Sequence, residues 1–179
     1  MSFIDFMTGT DLHAINLLSV SLRLLIAVVF GGIVGMNRAK TKHAAGFRTH
    51  ILVCMGAAVV MMTNQYMIIG LGYQTDAARL GAQVITGVGF IGAGTILMRG
   101  DKDKKIEGLT TAAGLWASAC IGLAIGIGFY GAAIIGGILV FLSLTVFADI
   151  AAKFYDKTKK DFIREDSPHE LPNGESSKK

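Results

Sequence analysis

Long apolar runs dominate the chain, each near the length of a membrane-crossing helix and separated from the next by a short polar segment. A helix needs about 20 mostly apolar residues to cross a hydrocarbon core about 30 Å thick. The first run covers 17–36 and is interrupted by Arg23; the second covers 49–71 and the third 80–98. From 109 to 148 no residue is charged, which leaves room for two further spans. Gly126-Ile127-Gly128-Phe129-Tyr130-Gly131 is the break between them, because its three glycines permit a tight turn. Spans four and five are then 109–127 and 130–147. The pattern predicts an all-α fold, a polytopic membrane bundle of five transmembrane helices within 1–152. A short cytoplasmic tail follows over 153–179, and its end, SPHELPNGESSKK, has the polar composition of a disordered segment.

Composition supports the same class. In 179 residues, 52% are hydrophobic, only 17% are charged, 23 are glycine and the mean hydropathy is +0.54. A soluble domain carries nearer a quarter charged residues, so a water-soluble globule and a disordered chain are both excluded. Of the 17 bases, 15 fall in the segments after spans one, three and five; Arg79 alone lies on the opposite side and Arg23 within a span. Positive segments stay cytoplasmic, which places the N-terminus outside and the C-terminus inside. Tyr66, Tyr73 and Tyr130 then share the outer interface, where amphipathic rings prefer to sit. The net charge of +4 sets orientation and does not call for nucleic acid as a partner. Cys54 and Cys120 sit inside apolar runs with no metal-binding or disulfide spacing, so no metal or cofactor is expected. The first 22 residues hold no Lys or Arg, unlike the start of a signal peptide.

Lipid tails are as apolar as leucine, so membrane helices associate through close backbone packing. Ala27, Gly31 and Gly35 lie four apart on span one, Gly114, Ser118, Gly122 and Gly126 form a ladder on span four, and Ala133 and Gly137 extend the pattern to span five. Packing inside the bundle is the simpler use of these stripes; a homodimer seam is the other. Span three contains Gly87-Val-Gly89-Phe-Ile-Gly92, formally a GxGxxG sequence. A dinucleotide site needs a preceding strand and a following soluble helix, and here the match lies inside an uncharged span. With Gly81 and Gly94, these glycines point instead to close helix approach or to a broken helix lining a cavity.

Two polar groupings interrupt the apolar pattern. An arginine inside a span costs about 2.5–3.5 kcal/mol on insertion scales, so Arg23 needs partners or a route to water. Asn64, Gln65 and Gln83 reach a similar depth, which predicts an outer cluster with Arg23 and with Asp76 as a counter-ion above it. Snorkelling of Arg23 to the outer headgroups is the alternative. At the inner edge, Asn37, Arg38, Arg48, Thr49 and His50 flank the first cytoplasmic loop, and Arg99, Glu107, Thr110 and Thr111 the second. Bases there control topology and meet anionic headgroups, and Thr110 would cap a helix. The mixture of His, Asn, Glu and paired Thr goes beyond both roles and marks a ligand or partner site.

Four segments carry a family resemblance. RLLIAVVFGGIVGMNR (23–38), GFRTHILVCMGAA (46–58), DAARLGAQVITGVGFIGAGTIL (76–97) and EGLTTAAGLWASACIGLAIG (107–126) resemble the MgtC/SapB family of bacterial inner-membrane proteins. The resemblance covers 23–147 in the same order and implies a five-span membrane domain. It also implies a role in adaptation to low magnesium and, in intracellular pathogens, in survival inside phagocytes, through regulation of other membrane proteins including the ATP synthase. Family-typical residues here are Arg23, Arg38, Gly46, Arg48, Thr49, His50, Cys54, Asp76, Arg79, Gln83, Gly87, Gly89, Gly92, Gly94, Gly108, Thr110, Thr111 and Trp116. Two departures stand out: Asn37 replaces an acid common before Arg38, and Asp76-Ala77 replaces an Asp-Pro. The cytoplasmic C-terminal domain of long family members has no counterpart in this sequence.

The functional expectation is a regulator in ion homeostasis with a membrane-protein partner, or a homodimer, in the bacterial inner membrane. The alternative is a transporter or channel for Mg²⁺ or another small solute. Mg²⁺ favours oxygen ligands that include carboxylates, and no predicted span holds one; a pore of backbone carbonyls near the span-three glycines keeps transport open. Enzyme chemistry is not expected, because no catalytic triad, HExxH, P-loop or paired carboxylates occur. His50 and Cys54 have helical i, i+4 spacing, but lipid surroundings keep a thiol inert.

Overall fold

The computed structural model describes residues 15–40, 45–97, 107–147 and 150. The chain divides into two units: Met1–Thr145, which holds the helices described below, and Val146–Lys179, of which 146, 147 and 150 are described. The described part is all-α, with five helices and no strand.

Helix α1 runs from Leu17 to Lys40. It is entered through a reciprocal cap: the Ser19 amide donates to Asn16 Oδ1 at 2.8 Å and the Asn16 amide donates to Ser19 Oγ at 3.2 Å. Leu18, Leu22, Leu25, Val29, Ile33 and Met36 recur at helical spacing and are exposed, while Ala27 and Val34 are buried. One face is therefore written for lipid tails and the other for neighbouring helices. Helix α2 runs from Phe47 to Gln65 and continues as a wider π turn over Tyr66–Gly70. The Leu71 amide closes that turn on the Tyr66 carbonyl at 3.0 Å, and Gly72 at φ +69° redirects the chain. Helix α3 spans Arg79–Leu97, α4 Leu109–Gly126 and α5 Tyr130–Leu144.

The break between α4 and α5 falls within the glycine cluster for a specific reason. Gly128 takes φ +84°, its amide bonds the Ile125 carbonyl at 3.0 Å, and the Phe129 amide bonds Ala124 at 2.8 Å. This is a Schellman motif, which a residue with a Cβ would enter only under strain.

Helices α2 and α4 form the centre. Helices α1 and α5 lie on one flank and α3 on the other, against both central helices. The crossings depend on backbone approach. A Cβ at Gly31 would lie 2.7 Å from the His50 carbonyl, and one at Gly35 2.7 Å from Phe47 Cα. A Cβ at Gly122 would strike the Cys54 carbonyl, and one at Gly126 would lie 2.5 Å from that of Ala58. Gly137 of α5 receives the Phe30 ring, and Ser118 turns its hydroxyl onto the Gly114 carbonyl of its own helix. The small-residue stripes on α1, α4 and α5 thus serve contacts within the chain.

Helix α3 differs from expectation. It is one continuous helix, so the broken-helix reading of Gly87, Gly89, Gly92 and Gly94 is corrected. Its hydrogen-bond ladder is intact because no proline or polar insertion interrupts it. Nor do these glycines all serve packing. Gly92 meets Ala112, where a Cβ would sit 3.3 Å away, but Gly87, Gly89 and Gly94 face open space.

Among the described residues, three helices, Leu17–Arg38, Phe47–Gly70 and Leu109–Gly126, are long and apolar enough to cross a membrane, and α5 is a shorter apolar helix. Gly122→Ala is expected to lower bundle stability by about 1–3 kcal/mol through overpacking against Cys54 and Ala57. Gly56→Ala, with nothing near its Cβ, is expected to change it by less than about 0.5 kcal/mol. Unfolding in graded SDS followed by circular dichroism measures both.

Candidate functional site

Arg23 is fully buried, so it does not snorkel. Its Nη1 donates to Gln65 Oε1 at 2.7 Å and to the Gly126 carbonyl at 2.8 Å, and its Nε donates to the Tyr130 hydroxyl at 3.2 Å. Four elements supply this node: α1 the cation, α2 the amide, the last turn of α4 a carbonyl and the start of α5 a phenol. The Gly126 carbonyl is one of those a helix end leaves without an intrahelical donor. A cation placed there also faces the negative end of the α4 dipole.

The other residues expected in the outer cluster lie elsewhere. Asn64 is buried but donates to the Ala77 carbonyl in the α2–α3 connection. Gln83 is exposed on α3, and Asp76 is exposed with its carboxylate accepting from the Ala78 amide at 2.9 Å. Asp76 therefore starts α3, where a carboxylate suits the positive end of the helix dipole, and the expected counter-ion role is corrected. Gln83 shares the depth of Arg23 but not its side of the bundle, because α3 lies on the opposite flank from α1. Two partners were missed by sequence reasoning. Tyr130 carries an interface signal only, and a backbone carbonyl such as Gly126 carries no side-chain signal at all.

At the other end of the bundle, Arg38 Nη2 donates to Thr111 Oγ1 at 2.9 Å, tying α1 to α4. Asn37 Nδ2 donates to the Leu144 carbonyl at 3.3 Å, tying α1 to α5. His50 is fully buried and its Nδ1 lies 3.0 Å from the Gly46 carbonyl. That carbonyl can only accept, so the proton belongs on Nδ1 and Nε2 is left as an acceptor. Among the described residues Nε2 has no hydrogen-bond partner, and it lies toward Gly114, where a Cβ would come within 3.4 Å.

The inner-edge residues do not form one cluster. Arg48 and Thr110 are exposed, Thr49 is half-buried and Glu107 is exposed. Thr110 is not the cap of α4: that place belongs to Gly108 at φ +94°, with no side-chain cap. Gly108 is needed there because a Cβ would lie 2.6 Å from the Thr95 carbonyl. Arg99 lies outside the described residues. Arg48 and Thr49 instead border a groove of about 600 Å³ between α2 and α3.

Tyr130→Phe is expected to cost about 0.5–1.5 kcal/mol and Arg23→Met more, because Arg23→Met removes the donor to both Gln65 Oε1 and the Gly126 carbonyl. In a double-mutant cycle the two losses should be non-additive, read as the SDS unfolding free energy. Full additivity would separate Tyr130 from the Arg23 node.

Comparison with known proteins places this architecture. The MgtC family matches residues 24–153. YhiD of Escherichia coli (strain K12), named as a candidate magnesium transporter, is 41% identical over 140 residues, covering 76% of this chain and 64% of its own length. SrpB of Synechococcus elongatus is 39% identical over 140 residues, covering 73% of this chain and 75% of its own. MgtC of Salmonella typhimurium (strain LT2) is 36% identical over 119 residues, covering 66% of this chain and 48% of its own. The chain thus spans 64% of the length of YhiD and about half that of MgtC. No solved structure matches it. On the extent of these matches, and with its apolar helices, the chain is a membrane protein and belongs to the MgtC family.

Proposed function

We propose that the chain is a five-span protein of the bacterial inner membrane that regulates other membrane proteins in adaptation to low magnesium. Its N-terminus is outside and its C-terminus cytoplasmic, on the charge asymmetry of its connecting segments. The observation that carries the regulatory reading is the outer face of α3. Ala82, Thr86, Gly89 and Ala93 follow one another at helical spacing and are all exposed. The exposed faces of α1 and α5 are instead lined by large apolar side chains such as Leu25, Val29, Ile135 and Leu139, which suit lipid tails. A face of small residues lets a second backbone come close, which is how membrane helices recognise each other. Thr86 already spends its hydroxyl on the Ala82 carbonyl of its own helix, so the stripe itself offers only small side chains, with Phe90, 84% exposed, standing beside it.

Transport of Mg²⁺ or another small ion is the second reading, favoured by the name of YhiD. Against it stands the placement of the carboxylates. Among the described residues these are Asp76 and Glu107, both exposed and at opposite ends of α3. A helix of 19 residues is about 28 Å long, too far for two ends to share an ion.

The test scans photocrosslinker-bearing cysteines through 82–96 in native membranes and, in parallel, measures Mg²⁺ flux into proteoliposomes. Adducts with one distinct membrane protein at 82, 86, 89 and 93, lost in Gly89→Leu, with flux no higher than in protein-free liposomes, are expected. Saturable flux abolished by Gly89→Leu would make the protein a transporter, and adducts of twice the chain's own mass would make α3 a self-association face.

A further inference from the structure

The groove between α2 and α3 lies on the other side of α3 from its small-residue face. Val84, Val88 and Ile91 line it, and helical spacing sets them roughly opposite Ala82, Thr86, Gly89 and Ala93. Its volume is about 600 Å³, within the range of about 300–1,000 Å³ typical of small-ligand sites. The α2 wall runs from Arg48 to Ala57, nine steps at about 1.5 Å, or about 14 Å. That is about half the hydrocarbon thickness of a bilayer, the depth of one leaflet.

Two features shape its interior. Gly56 on α2 and Gly87 on α3 line the wall, and neither has an atom within 4 Å of where a Cβ would stand. These glycines do not bring helices together; they hold space open. Apart from Arg48 and Thr49, every residue lining the groove is apolar or glycine. Those two residues sit together at one end, in the first turn of α2. Arg48 is exposed and, among the described residues, no acid or carbonyl holds its guanidinium. The sequence leading into α2 adds Lys40, the last residue of α1, and Lys42.

From these observations we propose that the α2–α3 groove is a site for one anionic phospholipid, its acyl chain between the helices and its phosphate on Arg48. The charge pattern selects the occupant: a base at the mouth of an apolar slot is complementary to an acidic headgroup on an apolar tail. The dimensions select it too. About 600 Å³ over a wall of about 14 Å is a cross-section of about 40 Å². A helix about 10 Å across needs about twice that. The slot is one chain wide and one leaflet deep. The site is independent of the partner face, so either can fail without the other.

The test reconstitutes the full chain in nanodiscs containing equal phosphatidylglycerol and phosphatidylcholine, then counts retained lipids by native mass spectrometry. One phosphatidylglycerol per chain, retained in preference to phosphatidylcholine, is expected. Arg48→Gln should reduce that preference about five-fold, the weight of one interfacial base, and Arg48→Lys should keep most of it. Gly87→Leu, and independently Gly56→Leu from the facing wall, should fill the slot and release the lipid whatever its headgroup. Arg79→Gln, at the other end of α3, should leave retention unchanged. Equal retention of both lipids by the unaltered chain would overturn the proposal. So would retention indifferent to all of the groove variants, or a photocrosslinker at position 87 that labels protein rather than lipid.

Discussion

A helix end packed against its neighbours cannot turn its last carbonyls to water, and one left bare and buried costs about 1–3 kcal/mol. Helix α1 answers this for two of its neighbours. Near its start, Arg23 donates to the Gly126 carbonyl that ends α4; near its finish, Asn37 donates to the Leu144 carbonyl that ends α5. One long helix therefore fixes the terminations of two others, at opposite ends of the bundle. The arrangement explains how a fully buried guanidinium is tolerated. It lies at the negative end of a helix dipole, with an amide oxygen, a backbone oxygen and a phenol as its acceptors. It also explains why α4 can stop abruptly at a Schellman turn and return as α5 after only three residues.

Between these ties, cohesion comes from contact distance. At Gly31, Gly35, Gly122 and Gly126 the neighbouring backbone or Cβ is so near that even alanine is excluded. Burial from water provides no force once the helices are already in lipid, so dispersion at close range and fixed polar contacts carry the assembly. The same residue type does the opposite work on α3. Gly87, Gly89 and Gly94 have empty space where a Cβ would stand, and Phe90 beside them is 84% exposed. A glycine costs helix stability relative to alanine when nothing packs on it. Open glycines on α3 lie where the bundle does not cover the helix, as do Gly131 and Gly136 on α5.

The helices themselves were legible in the sequence to within a few residues, because uncharged runs and base-rich connections are set by the bilayer rather than by tertiary detail. The Ala27–Gly31–Gly35 stripe and the Gly122–Gly126 ladder were legible as packing surfaces for the same reason. Arg23 was legible as a residue in need of partners, and Gln65 as one candidate among several. Depth alone, however, could not say which polar groups share a side. Gln83 matches Arg23 in depth yet sits on the far flank, and Asp76 is taken by the start of α3. Tyr130 and the Gly126 carbonyl were invisible as partners because a phenol at an interface and a backbone oxygen look alike in every membrane helix. Local helix signals misled in one place: five glycines suggested a break in α3, but nothing interrupts its ladder.

Asn37 shows how a departure from the family pattern becomes intelligible once its partner is known. The family resemblance implies an acid at this place, and a carboxylate is acceptor-only when ionised. Facing the terminal carbonyl of α5, it would set two acceptors against each other. The Asn37 amide carries donors, and one of them reaches Leu144 at 3.3 Å. The exchange of acid for amide thus removes a charge that could hold a cation and supplies a tie between α1 and α5. With Arg38 bound to Thr111 on α4 one residue later, the end of α1 is fastened to two helices by consecutive side chains. An edge secured in this way favours a fixed scaffold over a moving gate. In such a scaffold the surfaces left for recognition are those the bundle does not use itself: the small-residue face of α3 and the slot behind it.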